Sequence, residues 1–248
     1  MKRTITLLMF FVVSVFSLDN DTFTDSRDGK KYKTVKIGKQ TWMAQNLDYH
    51  GEDGYLGLCY GAEPQKDVMK PENCKKYGRL YDWEEAKKAC PRSWHLPSDA
   101  EWQTLVDFAG GDEIAGQKLK SKSGWKEHDF SGKNPKSPKC RWAEQTEKQV
   151  DNRGRVISPA GVKEYDYCAT DEFGFSALPG GFGYSLGDFD DVGDYGGWWS
   201  ATEDDFSNAY HRYMSYNDGR VYSDYTKSSV FMYLNLKSYL LSVRCVQD

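Results

Sequence analysis

Residues 81–111 constrain the fold most, because they predict two helices in quick succession and place a cysteine at the end of the first. Asp82 and Glu85 have the spacing of a capping box, in which each side chain satisfies a free backbone amide at the start of a helix. Pro91 cannot continue the helical hydrogen bonds. The first helix is therefore predicted to begin after Asp82 and to end at Cys90, with the cysteine pointing inward.

A second capping box begins the next predicted helix. Ser98 and Glu101 repeat the spacing of the first pair, and Gly110 with Gly111 ends the helix. Apolar residues recur on one face of each helix, and such stripes usually belong to a protein core. The segment therefore predicts two amphipathic helices that clamp one side of a core. A further short helix-prone stretch, DEIAGQKLKS, follows Gly111. The stripes consist of Trp83, Ala86 and Cys90 in the first helix and Trp102, Leu105, Val106 and Ala109 in the second.

Strand patterns dominate the chain after residue 196, where Asn217-Asp218-Gly219 predicts a hairpin with a type I′ turn. Two stretches, residues 48–76 and 126–168, lack periodicity and are predicted to be loops, the second as a long surface insertion. Helices followed by hairpins, without β-α-β alternation, predict an α+β fold with an antiparallel sheet.

Several motifs make the chain resemble a known family. Trp83, Ala86 and Cys90 form W-x-x-A-x-x-x-C, and residues 95–105 contain H-L-P-S-x-x-E-W-x-x-L, which is similar to the two-helix segment of C-type-lectin-like domains. Together with five further motifs, residues 22–248 resemble a single Fibrobacter succinogenes major paralogous domain, which is related to formylglycine-generating-enzyme-like domains. The resemblance implies a C-type-lectin-like fold with two helices packed on an antiparallel sheet, and it implies no activity. The further motifs are GKQTWMAQNLDY, YGRLYDW, TDEFGFSALPGGF, GGWWSATE and SVRCV.

Six cysteines in a chain predicted to be exported indicate a disulfide-stapled fold. Two cysteines can close the first predicted loop, and two others flank most of the long insertion. The lectin-like resemblance implies a third pair, between the end of the first helix and the last strand. The expected pairs are Cys59–Cys74, Cys140–Cys168 and Cys90–Cys245. No C-x-x-C spacing is present, which disfavours zinc ligation by sulfur.

The first residues have the features of a secretory signal peptide, with Lys2 and Arg3 before an apolar run. Cleavage after Ser17 is expected, so residues 1–17 would be removed. The run is too short to span a membrane, which needs about twenty apolar residues. The sequence therefore predicts a bacterial protein that is secreted, periplasmic or at the cell surface, with no membrane span after cleavage.

Charge disfavours nucleic acid as a partner. The chain has a formal net charge of −4, and removing Lys2 and Arg3 makes the mature chain more negative. Phosphate binding needs a basic surface, and no cluster of basic residues in the sequence is free of nearby carboxylates.

The sequence contains no recognisable catalytic constellation. Its histidines lack metal-site spacing, and no nucleophile-elbow or phosphate-loop motif is present. Formylglycine-generating enzymes use a copper-binding cysteine pair near the C-terminal end, where this chain has only Cys245. The calcium-dependent sugar motifs of C-type lectins are also missing. The four histidines are His50, His95, His128 and His211.

A glycine-rich stretch at residues 180–199 carries several carboxylates beside aromatic residues. Ca²⁺ takes six to eight oxygen ligands, so the four aspartates are a candidate calcium site, whereas the simpler alternative is a solvated acidic loop. Trp198 and Trp199 are adjacent and must point to opposite faces of a strand, so we expect one in the core and the other at the surface.

The predicted binding surface comprises the loops of residues 184–199 and 216–225, and no covalent chemistry is expected there. Aromatic faces cover apolar sugar surfaces, and carboxylates and amides bind hydroxyls. We therefore expect a non-catalytic exported binding or adhesion module for a polysaccharide or another cell-surface partner. The alternatives are an enzyme with dispersed carboxylates and a purely structural surface protein. The predicted ligand-binding residues are Tyr184, Asp188, Asp190, Asp191, Asp194, Tyr195, Trp199, Tyr216 and Asn217.

Overall fold

Four α-helices and two five-stranded sheets account for most of the regular structure in a computed structural model of the chain. The structure describes residues 21–66, 68–126, 141–146, 149–151, 153, 155–158, 161–166, 168–184, 187–224 and 236–248. The fold class is α+β, as predicted. The predicted signal peptide, residues 1–17, lies outside the described residues. The helices are α1 (Pro71–Tyr77), α2 (Trp83–Ala89), α3 (Asp99–Phe108) and α4 (Asp112–Leu119), with a 3-10 turn at Pro64–Lys66.

Helices α2 and α3 begin where the sequence predicts. In α2, the Asp82 carboxylate accepts a hydrogen bond from the Glu85 amide at 2.8 Å, and the Asp82 amide donates to the Glu85 carboxylate at 3.2 Å. Ser98 and Glu101 form the same reciprocal pair at the start of α3. Both capping boxes are therefore present, and each is worth about 1 kcal/mol to its helix.

Two helices accompany the predicted pair. Helix α4 confirms the short helix-prone stretch DEIAGQKLKS that follows Gly111. Helix α1 lies within the predicted loop of residues 48–76, where Pro71 occupies the first turn. A seven-residue helix is too short to persist alone. The rest of the protein holds it, because Cys74 is bonded to Cys59 and the Asn73 side chain donates to the Tyr60 carbonyl at 2.8 Å.

The two main sheets contain strands from both ends of the chain. The N-terminal sheet has the order β1-β2-β3-β16-β5, and the central sheet has the order β14-β13-β12-β15-β4. All pairs in them are antiparallel except β12 with β15, where Trp198 pairs with Ser242 in parallel, so the central sheet is mixed instead of antiparallel throughout. These strands are β1 (Thr22–Thr24), β2 (Lys31–Ile37), β3 (Gln40–Met43), β4 (Leu80–Tyr81), β5 (Trp94–His95), β12 (Tyr195–Glu203), β13 (Ala209–Ser215), β14 (Tyr222–Asp224), β15 (Leu241–Ser242) and β16 (Val246–Gln247).

The long insertion contains strands, which corrects its prediction as a loop. One antiparallel pair has a six-residue register that runs from Arg141 opposite Asp166 to Thr146 opposite Gly161, and a shorter pair lies inside it. The sequence shows no sustained apolar alternation there because a two-stranded hairpin needs no buried face. The strands are β6 (Arg141–Thr146), β7 (Gln149–Val150), β8 (Val156–Ser158) and β9 (Gly161–Asp166); β10 (Phe182–Gly183) and β11 (Phe189–Asp190) form another small pair.

Two hydrophobic clusters cover opposite faces of β12. Trp199 packs in one cluster with Tyr81, and Trp198 packs in the other with Trp42 and Trp102. Both Trp198 and Trp199 have no exposed surface. The expectation that one of them lies at the surface is wrong. Strand β12 lies between the two hydrophobic clusters, so the tryptophan on each of its faces packs into a cluster.

Two predicted disulfides are present. Cys59 bonds to Cys74, with Cα atoms 4.8 Å apart, and Cys90 bonds to Cys245, with Cα atoms 5.9 Å apart. The second bond joins the residue that ends α2 to the residue before β16. The predicted Cys140–Cys168 pair lies outside the described residues, because Cys140 is not among them.

A buried polar hub connects the sheets to α1. The Asn46 carboxamide oxygen accepts from the indole of Trp198 at 2.8 Å and from the guanidinium of Arg244 at 2.7 Å. Its amide group donates to the Tyr77 carbonyl and to the Ser242 hydroxyl. Every hydrogen-bonding group of Asn46 is therefore used, and the end of α1 is held against the core.

Candidate functional site

The two predicted binding loops meet at one point. The Tyr216 amide donates to the Asp194 carbonyl at 2.8 Å, and the Lys126 ammonium lies 3.0 Å from the Asp194 carboxylate. The Lys126 backbone also donates to the Gly193 carbonyl at 2.7 Å. Lys126 thus belongs to this surface, although no sequence pattern links it to Asp194, which lies about seventy residues later in the chain.

Two aromatic residues of the predicted surface are buried instead. Trp199 has no exposed surface, and its indole donates to the Tyr81 carbonyl at 2.8 Å. Tyr195 is 7% exposed, and its hydroxyl lies 3.0 Å from Nε2 of His211. Neither ring offers a face to a ligand. Their placement in the binding surface is therefore wrong, because β12 is a central strand with both faces covered.

The remaining polar and aromatic residues of the predicted surface are accessible in part. Tyr184 is half-buried and packs edge-on against Phe182 and Tyr239. Tyr216 is half-buried, and Asn217 is exposed with its side-chain oxygen accepting from the Ser215 hydroxyl at 2.8 Å. Among the described residues of this loop, Tyr216 and Tyr222 have partly accessible rings.

The hairpin that carries Tyr216 and Asn217 does not have the predicted type I′ turn. That turn needs positive φ at two successive residues, and no residue from 216 to 221 has a positive φ. The connection between β13 and β14 is instead six residues long. Its shape is held by the buried ammonium of Lys120, which donates to the carbonyls of Ser215 and Asp218 at 2.9 and 2.6 Å. Burial lowers the pKa of Lys120 to about 8.

The four aspartates of the acidic loop are spread over its surface. Asp188 and Asp190 are exposed, whereas Asp191 and Asp194 are half-buried. Burial raises the pKa of the Asp191 carboxyl, and the negative charges of Asp190 and Asp194 raise it further. Among the described residues, no three His, Cys, Asp or Glu side chains are arranged to hold a metal ion. Ca²⁺ binding by this loop stays a prediction.

A groove of about 290 Å³ lies elsewhere, along the N-terminal sheet, at the small end of the range for ligand sites. Phe23 and Trp94 form an aromatic wall, with ring centroids 5.2 Å apart. Hydroxyl and amide side chains supply most of the remaining surface, and one acid and one lysine complete it. The lining residues are Asp21, Thr22, Phe23, Thr34, Lys36, Thr41, Trp94 and Gln247.

Trp94 differs from the other tryptophans whose side chains the structure describes. Its indole N–H has no acceptor among the residues that the structure describes, although only 6% of the side chain is exposed. The polar side chains of Thr34, Thr41 and Gln247 likewise make no internal hydrogen bond within the described chain. The groove therefore presents a set of unused donors and acceptors beside an aromatic wall. The tryptophans that do donate to an internal acceptor are Trp42, Trp83, Trp102, Trp125, Trp198 and Trp199.

A family model for the Fibrobacter succinogenes major domain matches residues 35–247. The chain belongs to this family. No curated protein and no solved structure matches the chain. The matched region contains all four helices and the two main sheets apart from β1 and the first part of β2. Strand β1, which supplies Thr22 and Phe23 to the groove, precedes the matched region. The family's name assigns no activity to the Fibrobacter succinogenes major domain.

Sequence reasoning missed the groove because strands β1, β2, β3, β5 and β16 assemble it from distant parts of the chain. The pairing of Gln247 with Trp94 brings together residues that no local pattern connects. One signal was available in β2, where Thr34 and Lys36 alternate with the apolar Val35 and Ile37. That alternation marks a polar face opposite the core face of the strand.

Among the described residues, none of the helices has the length and apolar character that a membrane span requires.

Proposed function

We propose that the protein is a non-catalytic, exported binding module of C-type-lectin-like architecture whose groove holds a glycan. The observation that carries the proposal is the indole N–H of Trp94, which lines the groove without an internal acceptor. Trp94 Nε1 is not among the buried unpaired side-chain atoms of the described residues, so water reaches it in the free protein. A ligand oxygen would replace that water, and such a hydrogen bond contributes about 0.5–1.5 kcal/mol.

The rest of the groove suits a polyhydroxylated ligand. Phe23 is half-buried and offers apolar ring surface, with the nearly buried Trp94 ring packed behind it. The hydroxyls of Thr34 and Thr41 both donate and accept hydrogen bonds. Sugars present the same combination, with apolar ring faces and a fringe of hydroxyl groups. Gln247 adds an amide with two donors and one acceptor.

Support for the lectin-like architecture comes from two features. The two capped helices α2 and α3 occur in the expected order, and the Cys90–Cys245 bond joins the end of the first one to the last strands. Disulfides also fit an oxidising compartment outside the cytoplasm.

A glycan array with and without EDTA would identify the ligand class and decide whether Ca²⁺ takes part. We expect binding that survives chelation, because the groove contains only one carboxylate, that of Asp21. Assaying the bound glycan for cleavage tests the alternative that dispersed carboxylates make this an enzyme. Absence of any binding on the array and in solution would leave the structural-protein alternative standing.

Two matched variants locate the site. Trp94→Phe removes the free N–H from the groove, and we expect glycan affinity to fall about three- to tenfold, as for the loss of one hydrogen bond. Trp125→Phe is the control, because the Trp125 indole donates to the Ala177 carbonyl at 3.0 Å and lies beside Lys126. It should lower stability by about 1 kcal/mol and leave glycan affinity unchanged.

The same pair of variants separates the groove from the originally predicted loops. If Trp125→Phe weakened binding while Trp94→Phe did not, the surface around Lys126 and Tyr216 would be the site. Calorimetric titration of both variants with the best ligand from the array makes this comparison.

A further inference from the structure

A second cavity, of about 260 Å³, lies between β2 and the C-terminal end of α1. Four lysines line it, Lys30 and Lys31 from β2 and the turn before it, and Lys75 and Lys76 from the last turn of α1. Asp48 is the only carboxylate in the lining. The cavity is therefore strongly basic in a chain that has 37 acidic and 33 basic residues.

The single carboxylate is already neutralised. Asp48 lies 2.8 Å from the ammonium of Lys30 and 3.2 Å from the guanidinium of Arg79. Lys31, Lys75 and Lys76 form no ion pair within the described part of the chain. Three positive charges therefore surround the cavity without an internal counter-charge, and they favour a negatively charged occupant.

The wall that carries Lys75 and Lys76 is held in place. The Asn46 side chain donates to the Tyr77 carbonyl at 2.8 Å, and Cys74 is bonded to Cys59. Gly78 ends α1 with φ +79°, and a Cβ atom there would lie 2.6 Å from Cβ of Asn46. Such close approach fixes the end of the helix against the core, so little ordering of the backbone is needed for binding.

The geometry points to a binding site for the anionic group of an acidic saccharide, either a uronate carboxylate or a sulfate ester. Three ammonium groups provide the charge, and the exposed carboxamide of Gln45 in the lining provides neutral hydrogen bonds to neighbouring hydroxyls. This inference rests on the proposed glycan binding and adds to it a preference for acidic over neutral sugars.

The test uses two ligands and two lysine variants. The ligands are a galacturonic acid oligomer and its methyl ester, which differ in charge and share the same rings. Lys75→Gln with Lys76→Gln removes two of the three unpaired cavity charges and leaves Lys31. Lys87→Gln with Lys88→Gln is the control, because these are also adjacent lysines in the last turn of a seven-residue helix and the change in net charge is equal.

We expect the native protein to bind the acid about tenfold more tightly than the ester at low salt, and to lose this preference as salt is raised. The Lys75 and Lys76 double variant should lose most of the preference, whereas the Lys87 and Lys88 double variant should keep it. Calorimetric titration measures each affinity.

Three results would overturn the inference: equal binding of acid and ester by the native protein, an equal effect of the two lysine double variants, or inorganic sulfate binding as tightly as the oligomer. The first leaves the proposed glycan groove intact if Trp94→Phe still weakens both ligands. If the lysine effect is found and Trp94→Phe changes nothing, the inference holds and the placement of the glycan in the groove is wrong.

Discussion

The two observed disulfides close loops of very different length, and this difference makes a quantitative prediction. Cys90 and Cys245 are 155 residues apart, and Cys59 and Cys74 are 15 residues apart. If a disulfide acts by restricting the unfolded chain, its contribution grows with the logarithm of loop length, to about 5 kcal/mol for the first bond and about 3 kcal/mol for the second. Replacing both cysteines of a pair with alanine should therefore cost about 2 kcal/mol more for the long loop.

The two variants can be compared because three of the four cysteines are buried and the fourth, Cys90, is half-buried. Cys245 is fully buried, and Cys59 and Cys74 are 3% and 4% exposed, so each double variant also loses buried sulfur atoms. That loss largely cancels when the two variants are compared. Urea unfolding of the native protein and both variants gives the free energies by linear extrapolation, with the slope as a check on the unfolded state.

Equal destabilisation of the two variants, or a larger loss for Cys59 with Cys74, would refute the chain-entropy reasoning. It would indicate that local strain or residual structure in the unfolded chain decides what each bond contributes.

Two further predictions concern the contacts of His95 and the glycine that ends α1, Gly78. Burial lowers the pKa of His95, but hydrogen bonds from its ring to Asp248 and Glu101 outweigh the effect of burial, so the pKa is raised. The protonated ring therefore stabilises the fold fully below about pH 6.5, and this stabilisation is lost as the pH rises through the raised pKa. Thermal unfolding between pH 6 and 9 should show this decline, and Asp248→Asn should flatten it; an unchanged slope would contradict the assignment. Gly78→Ala places a Cβ atom 2.6 Å from a buried side chain and should lower the free energy of unfolding by about 3 kcal/mol or more. Gly29 has a similar φ and open space around it, so Gly29→Ala should lower the free energy of unfolding by only about 1 kcal/mol. Chemical unfolding of both variants tests this, and equal losses would mean that backbone conformation alone sets the cost.

Local signals predicted well in this chain. The capping boxes at Asp82 and Ser98 each involve residues three positions apart, and the helices begin where these pairs place them. Helix α1 escaped prediction because its seven residues carry no apolar stripe and depend on the Cys59–Cys74 bond and the Asn46 contact for support.

Long-range pairing set the limit on predicting the site. Whether Trp199 is exposed depends on what covers the second face of β12, and residues 81 and 241 do so from far away in the chain. The loops around Asp194 and Tyr216 do meet, as their positions at the ends of β12 and β13 imply. The groove could not be predicted from the sequence, because Phe23, Trp94 and Gln247 come together only when the N-terminal sheet is complete.

The order of the strands also determines when this protein can fold. Strand β16 lies between β3 and β5, and β15 lies between β12 and β4, so residues 241–247 supply an interior strand to both main sheets. While the chain is being made, everything before residue 241 holds two unfinished sheets with open edges, and such edges pair with other chains. Closing them requires contacts across most of the chain, which form slowly. Aggregation is therefore expected to compete with folding until this last segment docks, and the Cys90–Cys245 bond then makes docking hard to reverse.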